Sequence, residues 1–416
     1  MKLLKKSKQL MLFFEKNNKI PPISHTFKTD SIVKELYHDI LTADNFVETL
    51  KKTKGNYYNL TTKKIVSSKQ IIKPNIFNSN SFPELVRKHI DEMSVSEIFY
   101  TFSILNRNIK IYFVVEEDHI ELKIDTYNKY VDYIVMWLYI LNQYASKKCA
   151  NALTIYFYFT SLEKNLPESK IVILDELNVN TAFTTTCPKD SEIVVFRKEE
   201  WFKVFIHETF HNFGLDFSDM NNDSVHKCIL GIFNIKSDVN LYESYTECWA
   251  EIINAMFCGF VTLRDKSDID EFLSNFEKYI NFERNYSFFQ LIKTLNFMGL
   301  QYYDLYSKDE HSKMLCKHLY KEKTNVLSYY IIKAILINNY PLFLQWCNKH
   351  NLSLLQFKKT SSNQNEYCLL IQKNYKTKSM LESVYNANLV FNKLQKKYRP
   401  SHYLLTNLRM SICELG

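Results

Sequence analysis

Glycine and proline are scarce in this chain, 6 and 8 residues among 416. Lys, Asn, Ile, Tyr and Phe take their place, a bias that suits an AT-rich genome and speaks of the source rather than the mechanism. There is no internal repeat and no long low-complexity tract. No stretch approaches the roughly 20 apolar residues of a membrane span. The N-terminal apolar run is about five residues, short of the roughly 7–15 of a secretory signal. The nine cysteines are odd in number, scattered, and contain no CxxC pair. That pattern speaks against a disulfide framework or a cysteine-held metal, and reads as reduced thiols in a cytosolic compartment. The net charge of +8 is spread in short runs such as LLKKSKQ and LQKKYRP with no nucleic-acid recognition motif, so it reads as a solvated surface. A cytoplasmic protein is expected.

What the chain does have is aromatic and aliphatic mass: 46% hydrophobic residues and 15% aromatics, against 24% charged. Such a composition buries a large area, and the length argues for two or three packed units. Residues 1–95 read as a mixed, loop-rich segment, with NKIPPIS and IKPNIFNSNSFPE as loops. Over residues 96–262 the texture changes. EIFYTFSIL, NIKIYFVVEE, LTIYFYFT (153–160), KIVILDE (170–176) and SEIVVFR (191–197) predict strands, and 127–145 predicts a largely buried helix. Two further helices are expected, from about 198 to 213 with Gly214 as stop, and from about 241 to 258 with Gly259 as stop. Residues 263–416 read as mainly helical, with 351–377 ambiguous. The fold class is α+β.

FKVFIHETFHNFGLDF (202–217) carries the chemistry. His207 and His211, four apart on a helix, present their imidazoles to one point. Glu208 is rotated about 100° from His207, beside a bound metal rather than on it. Zinc takes nitrogen ligands tetrahedrally with one position open for catalysis, and a carboxylate beside it can take a proton from the activated water. Large apolar residues flank the trio, so the helix is buried, and buried imidazoles and carboxylates need partners.

A third ligand is required. A histidine six residues after His211 would complete the metzincin pattern, but that position is Phe217. LYESYTECWAEIINAMF instead offers Glu243, Glu247, Glu251 and Asn254 along one helical stripe. Stacked carboxylates repel one another unless solvent or a cation neutralises them, and the other faces of this helix are apolar.

HETFH followed by an ExxxE helix, here TECWAE, resembles the gluzincin class of zinc metallopeptidases, which includes thermolysin-like enzymes and lethal-factor toxins. The resemblance covers about residues 170–260. The chain is also similar to uncharacterised zincin-like proteins of large DNA viruses, which would add the virion as a location. The gluzincin resemblance implies a zincin-like core, a small mixed sheet over the two motif helices. It implies one Zn2+ held by His207, His211 and Glu247, with Glu251 behind a ligating histidine. A register with Glu243 as ligand and Glu247 behind it stays open. T-E-x-x-x-E stands where thermolysin-like enzymes have N-E-x-x-x-D, and the oxyanion stabiliser is not fixed; Tyr242, Tyr245 and His226 are candidates. NVNTAFTTT or EIVVFR could offer an edge strand to an extended substrate.

The expected function is a zinc metallopeptidase acting on polypeptide, with Glu208 as general base. The alternatives are a non-catalytic metal-binding structural or interaction protein, and a helical module binding an acidic partner through the basic C-terminal region. His311 and His318 read as surface residues.

Overall fold

Alternating side chains over residues 96–115 build the first structural unit. Strands β2 (Ser96–Ile104) and β3 (Arg107–Val115) pair antiparallel, Ser96 opposite Val115 and Ile104 opposite Arg107. The chain reverses at Leu105 and Asn106, whose φ angles of 51° and 58° give the two-residue turn that matches strand twist. The computed structural model describes residues 1–17, 20–77 and 80–416. Asn18 and Lys19 of one expected loop, and Asn78 and Ser79 of the other, lie outside them.

Strands β1 (Asn59–Lys64), β4 (Ala152–Phe159), β5 (Ala182–Thr184) and β6 (Asp190–Val195) complete a mixed sheet of order β1-β2-β3-β4-β6-β5. The β3–β4 and β4–β6 pairs are parallel and the others antiparallel. The period-2 alternation divides the sheet's side chains between two cores. Phe113, Ile155, Phe157, Ile193 and Val195 face the main core, while Val114, Tyr156, Tyr158 and Val194 join a smaller one with Phe82, Val86 and Ile90.

The helices are α1 (Lys5–Asn17), α2 (Phe27–Lys54), α3 (Glu84–Met93), α4 (Ile124–Tyr144), α5 (Glu176–Val179), α6 (Trp201–Asn212), α7 (Asp223–Ile232) and α8 (Leu241–Val261). They continue with α9 (Ile269–Met298), α10 (Tyr302–Tyr306), α11 (Glu310–Leu319), α12 (Lys333–Ile337), α13 (Tyr340–His350), α14 (Ser361–Asn374), α15 (Lys378–Lys397) and α16 (Tyr403–Thr406). The residues past 263 are mainly helical, as expected. Helix α6 lies against β5, β6 and α8, and every one of its residues is buried.

Four expectations need correction. The N-terminal segment is not loop-rich: α1 and the 28-residue α2 dominate it. KIVILDE is not a strand; Ile171 is 90% exposed, and the sheet edge is formed instead by Ala182–Thr184. Gly259 does not stop α8. It lets α9 approach, since a Cβ there would lie 3.3 Å from the Phe276 backbone nitrogen. One hydrophobic cluster takes in residues from 1–95, 96–262 and 263–416 alike, from Leu10 to Leu415. Finally, Cys149–Cys187 and Cys228–Cys368 are disulfides, and the other five cysteines are buried thiols. The partners lie 38 and 140 residues apart in sequence, so only the fold brings them together. Among the described residues no helix is long and apolar enough to cross a membrane.

Candidate metal centre

The histidine helix is fixed along its length. The Trp137 indole of α4 donates to the Thr209 hydroxyl at 2.7 Å, and the Asn212 amide donates to the Thr184 hydroxyl of β5 at 2.8 Å. Its end is a glycine turn. Gly214 has φ +66°, its N–H donates to the His211 carbonyl, and the Leu215 N–H donates to the Phe210 carbonyl. This reversal returns Asp216 to the side of His211.

Three donor atoms converge. His207 Nε2 and His211 Nε2 lie 3.2 Å apart, and Glu243 Oε2 lies 3.2 Å from the first and 3.4 Å from the second. Tetrahedral ligands at 2.0–2.1 Å from zinc would sit about 3.3–3.4 Å from one another. The opposite ring nitrogens are committed elsewhere. His207 Nδ1 contacts Glu247 Oε2 at 2.9 Å and His211 Nδ1 contacts Asp216 Oδ2 at 2.5 Å. With both Nδ1–H groups donating to carboxylates, the Nε2 lone pairs of the neutral rings point at a carboxylate oxygen. Three such acceptors facing one point form a donor set that could hold a metal ion.

The electrostatics agree. Burial alone would lower the pKa of His207, but hydrogen bonds to Glu243 and Glu247 outweigh it and raise the value. His211 is raised further, against the same burial, by Asp216 and Glu243. Burial would raise Glu243 and Glu247, yet His211 and His207 hold the first, and Lys203 and His207 the second, far below the usual carboxylate range. The same carboxylates that orient the imidazoles favour their protonated forms.

The glutamate stripe divides by partner, and the geometry favours the register left open, with Glu243 beside the imidazoles. Glu243, rather than Glu247, joins the imidazoles as the third member of the cluster. Glu247 orients His207 and accepts from Lys203 Nζ through its other oxygen. Glu251 reaches neither histidine; it pairs with Lys333 at 3.0 Å and accepts from the Ser287 hydroxyl at 3.2 Å. The reason is rise: residues four apart on a helix are about 6 Å apart along it, so one metal meets one carboxylate. Lys203 and Lys333, not a shared cation, neutralise the other two.

Glu208 faces the cleft, buried, with no protein hydrogen bond among the described residues, and burial raises its pKa. The cleft encloses about 780 Å3 and is lined by His207, Glu208, His211, Glu243 and β5. Of the three candidates for oxyanion stabiliser, only His226 lines it. Its Nδ1 accepts from the Val239 N–H at 3.2 Å, which leaves Nε2 as the proton-bearing nitrogen of the neutral ring. Tyr245 is remote, donating to the Leu355 carbonyl at 2.9 Å, and Tyr242 sets its ring edge-on to His211 outside the cleft lining. Tyr329 had no sequence signal, yet it lines the cleft and its hydroxyl donates to Glu243 Oε2 at 3.0 Å. It sits on a π-helical turn, Leu327–Ile332. Asp216 and Lys203 were also missed, though both lie within reach of the motif, five residues after His211 and four before His207. His311 and His318 are exposed on α11, away from the site.

No known protein family, curated protein or solved structure matches this chain.

Proposed function

We propose that the protein is a zinc-dependent metallopeptidase, with His207, His211 and Glu243 holding the metal and Glu208 as general base. The observation that carries this reading is the convergence of three acceptor atoms at tetrahedral spacing beside the buried Glu208 carboxylate, which makes no protein hydrogen bond among the described residues. Zinc at that point would polarise a peptide carbonyl and lower the pKa of the attacking water to about 7. Glu208 takes the proton of that water and delivers it to the leaving amine. Burial, which raises its pKa, makes it a stronger base toward that water. Among the cleft-lining residues, His226 offers its Nε2–H to the carbonyl oxygen as charge develops there, while the Tyr329 hydroxyl is held by Glu243. Outermost in the sheet, β5 can pair an extended polypeptide along its free edge. A mixed sheet whose edge strand flanks the histidine helix, with the glutamate helix packed against that helix, supports reading this core as zincin-like.

Elemental analysis of the wild type beside three variants tests the site. One zinc per chain is expected, lost in Glu243→Ala, weakened about 10–100-fold in Glu247→Ala, and retained in Glu208→Gln. A peptide-library screen should then find cleavage by the wild type and none by Glu208→Gln. A metal staple without catalysis has no use for Glu208, so a zinc-loaded wild type that cleaves nothing would favour that alternative. A wild type that binds no zinc would end both readings.

A further inference from the structure

Four lysines are buried among the described residues: Lys164, Lys203, Lys293 and Lys333. Three of them have a glutamate. Lys164 pairs with Glu200, Lys203 with Glu247 and Lys333 with Glu251. Lys293, on α9 and only 1% exposed, has none. Its one hydrogen bond runs from Nζ to the Asn407 carbonyl at 2.6 Å, and its other neighbour is the Phe289 ring, 5.1 Å away. An ammonium so placed lacks the counter-charge that a buried cation needs. Burial holds the amine well below the usual lysine range, with no carboxylate acting against it.

Lys293 also lines a cavity of about 290 Å3 between α9, α15 and the chain around Leu405. Its walls include the buried side chains of Phe297, Phe391 and Leu405, with exposed Lys170 among the lining residues. No acidic residue lines it, and it shares no lining residue with the metal cleft. At about 30 Å3 per non-hydrogen atom, a value near water's share of the liquid, it holds roughly ten such atoms.

We propose that this cavity is a second ligand site, taking a medium-chain monocarboxylic acid whose carboxylate supplies Lys293 with its missing counter-ion and whose chain lies against Phe297, Phe391 and Leu405. The ligand plays the part that Glu200, Glu247 and Glu251 play for the other three lysines. The inference is independent of the metal centre and of any peptidase activity.

Titration calorimetry of the full chain with octanoate, which has ten non-hydrogen atoms, tests it against 1-octanol as a neutral probe of similar length. Octanoate should bind one-to-one and about tenfold or more tighter than octanol, and Lys293→Met should remove that difference. In the wild type, octanoate should also protect Lys293 from acylation by sulfosuccinimidyl acetate, read by peptide mass spectrometry, an arm that does not depend on the variant folding. Equal binding of octanoate and octanol, octanoate binding unchanged in Lys293→Met, or no protection of Lys293 would each overturn the proposal.

Discussion

At the scale of single residues the proposed site, His207, His211 and Glu243, would set protons and a metal in competition. His207 and His211 have raised pKa values in the metal-free fold, so zinc must displace their protons. Two consequences have opposite signs. Zinc affinity should climb with pH and flatten once the histidines of the metal-free protein are neutral, with up to about two protons released per zinc below that point. The metal-free fold should behave the other way. A histidine with a raised folded value stabilises fully below its unfolded pKa of about 6.5 and loses that contribution as pH rises through the folded value. Glu243 and Glu247, held low, stabilise above their unfolded value of about 4.3 and lose it only in strong acid. Thermal unfolding of chelator-treated protein should therefore show a lower Tm at pH 9 than at pH 6, and the zinc-loaded protein should not. Parallel pH profiles for the two forms would show that the histidine protons and the metal do not share the site.

Much of this site was legible in the sequence, because HExxH compresses two ligands and a base into five residues whose relation a helix fixes. The choice among Glu243, Glu247 and Glu251 was not legible. All three occupy one stripe, and what separates them is the position of Lys203 and Lys333, one on α6 and the other 82 residues beyond Glu251. Tyr329 was hidden for the same reason: a partner that arrives from a distant segment leaves no mark near the motif.

At the scale of elements, two glycines that read alike do different work. Gly214 takes the left-handed conformation that ends α6 and aims Asp216 at His211, whereas α8 continues through Gly259, which admits a neighbouring helix. Sequence spacing marks where a glycine stands but not whether its backbone or its missing side chain is being used. The misassigned strand has a similar origin. KIVILDE has the apolar content of a strand but pairs only through an isolated bridge from Leu174 to Glu322, while the three residues of β5, too few for a periodic signal, sit where β6 offers an edge. Gly214→Ala separates the two roles. A Cβ at Gly214 would meet nothing closer than 3.4 Å, so the substitution tests conformation rather than space. It should cost about 1–2 kcal/mol through the left-handed backbone alone. Zinc affinity should fall with it, because the same turn carries Asp216. Chemical denaturation and zinc titration of the one variant measure both, and a stable variant with normal zinc affinity would deny the turn its role.

At the scale of the whole molecule, buried charge links residues of the expected segments 96–262 and 263–416. Glu200, at the head of α6 with φ +59°, accepts from the Met410 and Ser411 backbone N–H groups and pairs with Lys164, so the far end of the chain holds the histidine helix in place. Glu251 of α8 meets Lys333 of α12 and Ser287 of α9, and Lys333 also donates to the Met410 carbonyl at 3.0 Å. Four parts of the molecule share this one buried pair. Removing one partner is the damaging change. Lys333→Met leaves Glu251 without its counter-charge and should cost about 3–5 kcal/mol, whereas Lys333→Met with Glu251→Leu should recover most of it, since an apolar pair of similar volume avoids desolvating either charge. The single variant should also acquire a pH dependence. Burial already pushes Glu251 well above its usual range with Lys333 acting against it. Without Lys333 the carboxyl remains buried by holding a proton, so its folded pKa exceeds the unfolded one. Stability is then greatest at low pH and declines as pH rises through the folded value. Urea unfolding of the three proteins at pH 6 and pH 8 resolves the matter: a penalty that grows with pH in Lys333→Met and vanishes in the double variant is expected. A single variant as stable as the wild type at both pH values would mean that the pair does not bind the parts together.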